Sequence, residues 1–165
     1  MIFVTVGTHE QPFDRLVAYI DQLKETGVLT EDVVIQTGFS TYEPKHCTWQ
    51  KLFPYQKMLE NVGNARIVIT HGGPSSFIMP LQIGKIPIVV PRMKAFDEHV
   101  NDHQLDFCRP VAQRQGNIIC VEDVSKLEEI LTNYDAMVAD MPHGQNSNNA
   151  AFNHGLQKLV DDLFD

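Results

Sequence analysis

Short apolar runs recur along the chain, each closed by a glycine, a proline or a polar cluster. Residues 2–6 end at Gly7, 33–36 at Thr37-Gly38, 65–70 at His71-Gly72-Gly73, and 87–90 at Pro91, with a last run at 117–121. Between them the apolar spacing changes. Phe13, Leu16, Val17, Ile20 and Leu23 form a helical stripe. Helices are likewise predicted over 55–61, 74–83, 99–115 and 124–132, that over 99–115 with a break expected near Pro110. Residues 39–51, with Pro44, read as polar and irregular. Strands that alternate with helices predict an α/β fold with a doubly wound parallel sheet, Rossmann-like. The strands are nearly all apolar rather than alternating, which fits a sheet covered on both faces.

The tail has a different pattern. Residues 139–149 are loop-like, with Pro142, Gly144 and several Asn and Ser residues. Phe152, Leu156, Leu159, Val160, Leu163 and Phe164 then recur at spacings of three and four, predicting an amphipathic helix. The expected division is one domain over 1–138, followed by a loop and helix over 139–165. That helix either packs back on its own domain or docks on a partner chain.

Composition narrows the classes. A chain of 165 residues, 43% hydrophobic, fits one domain with a sizeable core. No apolar stretch is long enough to span a membrane, and the start, MIFVTVGTHE, lacks the basic region of a signal peptide. Three cysteines, Cys47, Cys108 and Cys120, without a C-x-x-C pair, fit reduced thiols in a cytosol. Net charge of −8 argues against nucleic acid and against direct adhesion to anionic lipid. An anionic ligand would then be held by local donors such as helix N-termini, each carrying about half a positive charge.

Four segments carry candidate chemistry. Gly7-Thr8-His9-Glu10 follows the first strand; it is either an ordinary turn or a backbone approach to an anion. His71-Gly72-Gly73-Pro74-Ser75-Ser76 joins a strand to a helix. Its glycines remove Cβ atoms that would block a phosphate, and Pro74 suits a first helical turn. It matches neither a Walker A loop nor G-x-G-x-x-G. The competing reading is a tight turn with serine caps. The segment 97–104 is polar except for Val100, and Asp102, His103 and Gln104 supply donors and acceptors suited to sugar hydroxyls. His99 and His103 also stand four apart, a zinc spacing, but neither a general-base glutamate nor a third ligand accompanies them. Residues 50–56 place Phe53 and Tyr55 where a pyrimidine or the core would be covered. Cys108 and Cys120 fall on apolar positions suited to packing. In an open α/β sheet, ligands bind at the C-terminal edge of the strands. Phosphate donors and polyol donors on that edge point to a nucleotide-sugar.

The blocks VTVGT, IVITHGGPSSF, GKIPIVVPR and NDHQ, in that order, resemble the donor-binding C-terminal half of GT-B glycosyltransferases of the MurG-like kind. More narrowly they resemble the small catalytic subunits, PssE or EpsF type, of two-component bacterial exopolysaccharide or capsule glycosyltransferases. The resemblance covers residues 1 to about 132. It implies that Gly7 and Thr8 lie beside the diphosphate. It implies that residues 71–76 hold phosphates, that His103 and Gln104 contact donor-sugar hydroxyls, and that a backbone group at Phe53 reads uracil. Two positions depart from the pattern. Met79 stands where many relatives carry an acidic residue for the ribose, and Pro74-Ser75 where a residue followed by glycine is common.

The resemblance further implies inverting transfer with no required metal and no cofactor. The expected reaction moves galactose or N-acetylglucosamine from a UDP-sugar to a lipid-linked glycan. Only a donor half is expected here. A membrane-anchored partner would supply the acceptor half, so that the protein is cytoplasmic and held at the inner face of the plasma membrane. His9 or Glu10 is the expected base, unless the partner provides it. The alternative is a non-catalytic UDP-sugar-binding subunit.

Overall fold

The computed structural model describes residues 1–141. Six strands, β1 (Ile2–Thr5), β2 (Val33–Gln36), β3 (Thr48–Gln50), β4 (Ile67–His71), β5 (Ile88–Val90) and β6 (Ile119–Cys120), form one sheet of order β3-β2-β1-β4-β5-β6. Every pairing is parallel. The helices are α1 (Asp14–Glu25), α2 (Tyr55–Asn64), α3 (Pro74–Gln82), α4 (His103–Gln115), α5 (Leu127–Thr132) and α6 (Tyr134–Ala139). This is the Rossmann-like, doubly wound sheet that the sequence predicts.

Strand alternation separates two cores. Ile2, Val4, Ile67, Ile69, Ile88 and Val90 face α1, α5 and α6, meeting Phe13, Leu16, Val17, Ile20, Leu127, Leu131 and Tyr134. Phe3, Val68 and Val89 point the other way, the first two toward Val62 of α2 and Val89 toward Phe77, Leu81 and Phe107 of α3 and α4. With one face given to each set, both parities of every central strand are buried, hence the unbroken apolar runs. Truncating one such Ile to Ala costs about 2–5 kcal/mol.

Several local expectations change. The stretch read as irregular contains β3, whose three residues are exposed and which pairs with β2 through its backbone. α4 starts at His103 rather than residue 99, because 99–102 make turns: Asn101 Oδ1 accepts from His103 N–H at 3.0 Å. α4 also runs through Pro110 without the expected break. α6 had no counterpart in the sequence reading; Tyr134 anchors it by donating its hydroxyl to the Ile86 carbonyl at 2.6 Å. No helix among the described residues is long and apolar enough to cross a membrane. The predicted amphipathic helix with Phe152 and Leu163 lies outside the described residues.

The order of strands matters for function. From β1 the chain winds toward β2, and from β4 toward β5. The loops leaving β1 and β4 therefore diverge at their C-terminal ends and leave a crevice, the usual ligand position in such sheets.

Candidate functional site

That crevice is a cleft of about 750 Å³. Gly7, Thr8 and His9 line it from the β1 loop, with Phe53 and Tyr55 from the segment opening α2 and Ser75, Ser76 and Met79 from α3. His71 closes its floor. Met58, Val62 and Ile78 make one end apolar, while Thr5 and Gln36 add polar groups beneath. Tyr55 is 70% exposed and Phe53 half-buried, its ring meeting Phe3 edge-on at 6.0 Å.

The floor is built around His71. Gly73 N–H donates to Nδ1 at 3.1 Å, and Nε2 lies 2.9 Å from Ser76 Oγ. Gln104 places its Nε2 3.3 Å from the same Nδ1. Burial, reinforced by the charge of Arg92, pulls the imidazole down to about 3, so the ring is neutral. The glycines around it have a steric cause. A Cβ on Gly7 would sit 2.3 Å from His71 Nε2, and one on Gly73 would sit 2.2 Å from Cε1. A Cβ on Gly72 would meet Gln104 Cβ at 2.9 Å. Gly7 also has φ of +75°, a backbone region that favours glycine.

The sequence reading gave these glycine amides to a phosphate. The structure turns them inward. Gly7 N–H donates to Thr5 Oγ1 at 3.2 Å, Gly72 N–H to Gln104 Oε1 at 3.1 Å, and Gly73 N–H to His71. The outward polar groups at this end are those of Thr8, Ser75 and Ser76, beside the N-terminus of α3. Gln104 is likewise buried: its Oε1 accepts from both Gly72 and Arg92 amides, the latter at 3.0 Å. It braces the floor, and its expected place at a sugar hydroxyl is taken by that role. His103 is exposed at the start of α4, and Asp102 accepts from Lys94 N–H at 2.9 Å. Neither lines the cleft, nor does the exposed Glu10.

Arg92 was absent from the sequence reading. It is fully buried directly after β5. Its guanidinium donates to the carbonyls of Val6 (2.6 Å), Gln11 (2.7 Å) and Glu98 (3.0 Å) and lies over the Phe13 ring. Burial lowers it to about 10, so it stays charged at neutral pH. Glu98, also buried, holds Arg15 of α1 in a two-point ion pair at 2.9 Å per contact. The loops after β1 and β5 are thereby tied together. Their proximity to the sheet edge was legible; their mutual contact was not.

Those tied loops set His9. Gln11 Nε2 donates to the Asp97 carbonyl at 3.0 Å, which turns Gln11 Oε1 toward His9 Nε2 at 2.9 Å. Oε1 only accepts, so His9 Nε2 carries a proton, which in the uncharged tautomer leaves the lone pair on Nδ1. The His9 ring stacks on that of His99, centroids 4.4 Å apart. Burial, and then the charge of His9, hold His99 below its ordinary value. Among the described residues no group of three or more His, Cys, Asp or Glu could hold a metal ion. The helical spacing that would aim His99 and His103 at one metal is lost, since α4 begins only at His103.

The sheet order is that of a Rossmann-like α/β domain, matching the C-terminal domains of GT-B glycosyltransferases. Over residues 1–163 the chain matches the glycosyltransferase family 28 C-terminal domain, and it belongs to that family. Solved structures similar in fold include the glycosyltransferase SnogD from Streptomyces nogalater, at TM-score 0.51 and 17% identity. That match covers 96% of this chain and 43% of SnogD. The glycotransferase of kitacinnamycin aligns at TM-score 0.51 and 15% identity, covering 98% of this chain and 39% of the other. The chain thus spans about two-fifths of the length of these relatives in fold. No curated protein sequence matches it significantly.

Proposed function

We propose that this chain is the donor-binding half of a UDP-sugar-dependent hexosyltransferase. The observation that supports this best is the division of the cleft. Phe53, Tyr55, Met58, Val62 and Met79 offer apolar cover for a uracil and ribose, while Thr8, Ser75 and Ser76 gather hydroxyls at a helix N-terminus for a diphosphate. The hexose, galactose or N-acetylglucosamine, then projects toward the loops holding His9 and His103.

In the proposed reaction an acceptor hydroxyl attacks the anomeric carbon as the bond to UDP breaks, inverting that centre. Charge accumulates on the leaving diphosphate, where Ser75 and Ser76 donate to it. Arg92 and the α3 N-terminus add positive potential from below. His9 Nδ1 takes the acceptor proton. The acceptor is a lipid-linked glycan of exopolysaccharide or capsule synthesis. It is presented by a second α/β domain on a membrane-anchored subunit, which holds this chain at the inner face of the plasma membrane. Titration calorimetry with UDP and UDP-hexoses tests donor binding. Turnover by both subunits coexpressed, lost in His9→Ala, tests catalysis.

Met79 favours a second reading, a UDP-sugar-binding subunit without turnover. A thioether replaces the carboxylate expected to hold the ribose hydroxyls, and it lines the cleft. Donor binding without turnover in any pairing would favour that reading.

A further inference from the structure

The imidazole of His71, buried in the floor of the cleft, has hydrogen bonds of fixed direction. The direction starts at Gln104. Two backbone amides, of Gly72 and Arg92, donate to one oxygen of its carboxamide. Backbone N–H groups only donate, so that atom is the oxygen and the nitrogen is the one aimed at His71 Nδ1. Nδ1 also receives Gly73 N–H. Two donors converge on Nδ1, so it carries the lone pair and Nε2 carries the proton. Nε2–H then donates to Ser76 Oγ at 2.9 Å. A hydroxyl that accepts at one lone pair from a fixed donor still has its own proton to give, and Ser76 lines the cleft.

We infer that His71 is a positioning residue: the chain Gln104–His71–Ser76 fixes the Ser76 hydroxyl as a donor to a phosphate oxygen of the bound nucleoside diphosphate. This rests on the proposed donor site and specifies how that site holds the anion. A free serine hydroxyl rotates about its Cβ–Oγ bond; one whose oxygen accepts from His71 has one lone pair occupied and its position held, with its hydrogen left to give to an anion. The surrounding glycines serve the same end, since a Cβ at Gly7 or Gly73 would displace the ring. A ring protonated at Nδ1 instead would repel both of its donors.

The test is calorimetry on the full chain with UDP, uridine and inorganic pyrophosphate. Ser76→Ala and His71→Met should each weaken UDP roughly tenfold, the scale of one hydrogen bond to a charged group, with uridine unchanged. The double variant should bind UDP no worse than Ser76→Ala alone. His71→Gln, whose amide nitrogen can reach Ser76, should restore most of the affinity. Losses that multiply, a parallel fall for uridine, or no rescue by Gln would overturn the inference. Nitrogen NMR of the wild-type ring needs no variant: an Nε2–H tautomer supports the chain of bonds, and an Nδ1–H tautomer refutes it. Pyrophosphate binding with the same coupling but no UDP binding would remove the uridine reading and retain this one. Binding of neither anion would end both.

Discussion

His9 and His99 lie face to face, 4.4 Å between ring centroids and 10° between planes, although one follows β1 and the other follows β5. The stack fixes one face of His9, while Gln11 fixes its edge. If His9 is the base, His99 governs its aim without touching the acceptor. His99→Ala should therefore lower kcat between about ten- and a hundredfold, as expected for a misaligned catalytic group, while donor KM changes little. Steady-state kinetics of the proposed two-subunit enzyme checks this; a rise in KM at constant kcat would contradict it.

Crowding around His71 gives a suppressor test. Gly73→Ala puts a methyl 2.2 Å from the ring and should cost about 1–3 kcal/mol of stability, the scale of overpacking. Because φ at Gly73 is −69°, the backbone itself accepts alanine. In a His71→Ala background the same change should be nearly free. Denaturant melts of the four proteins give the coupling directly.

Arg92→Lys keeps the charge but loses the fork that reaches three carbonyls. Leaving buried carbonyls unpaired should cost about 3 kcal/mol, near 10 °C in Tm for a chain of this size. A melt within two or three degrees of wild type would show that the loops are held otherwise.

The neutral His71 ring makes stability depend on pH. Its folded value is about 3 against an ordinary 6.5. Above 6.5 neither state binds the proton, and the stabilisation is complete. As pH falls from 6.5 toward 3, the unfolded chain takes up a proton that the native ring refuses, and stability declines by at most about 1.4 kcal/mol per pH unit. His99, also lowered, acts in the same direction. Comparing wild type with His71→Gln between pH 7 and 4 should show a shallower slope in the variant.

Tyr55 is mostly exposed on the rim of the cleft. Tyr55→Ala should leave the melting temperature unchanged yet weaken both uridine and UDP by roughly three- to tenfold, the worth of one aromatic contact. Equal affinity in the variant would place the base elsewhere.

What the sequence made legible follows from how local each cause is. β1, β4 and β5 declare themselves because burial on both faces leaves polar positions only at their C-terminal ends, Thr5, Thr70 and His71. β3 is silent: Thr48, Trp49 and Gln50 are all exposed, and only a backbone ladder with β2 makes them a strand. The glycines of 71–76 were read as room for a ligand, whereas that room is taken at Gly73 by an imidazole of the same segment and at Gly72 by Gln104 and Pro91, a fact visible only in three dimensions. Nothing in the sequence singled out a role for Arg92. Its burial depends on carbonyls from residues more than eighty positions away, at Val6 and Gln11, and no spacing along the chain encodes that.

The guanidinium of Arg92 also determines where this protein can change. By joining the loops after β1 and β5 from within, it makes the rim of the proposed donor site a single stiff unit that tolerates little substitution. On the proposed reading, divergence in sugar preference is then left to the outward side chains of residues 97–103 and of Tyr55, while the proposed hold on the leaving group stays the same.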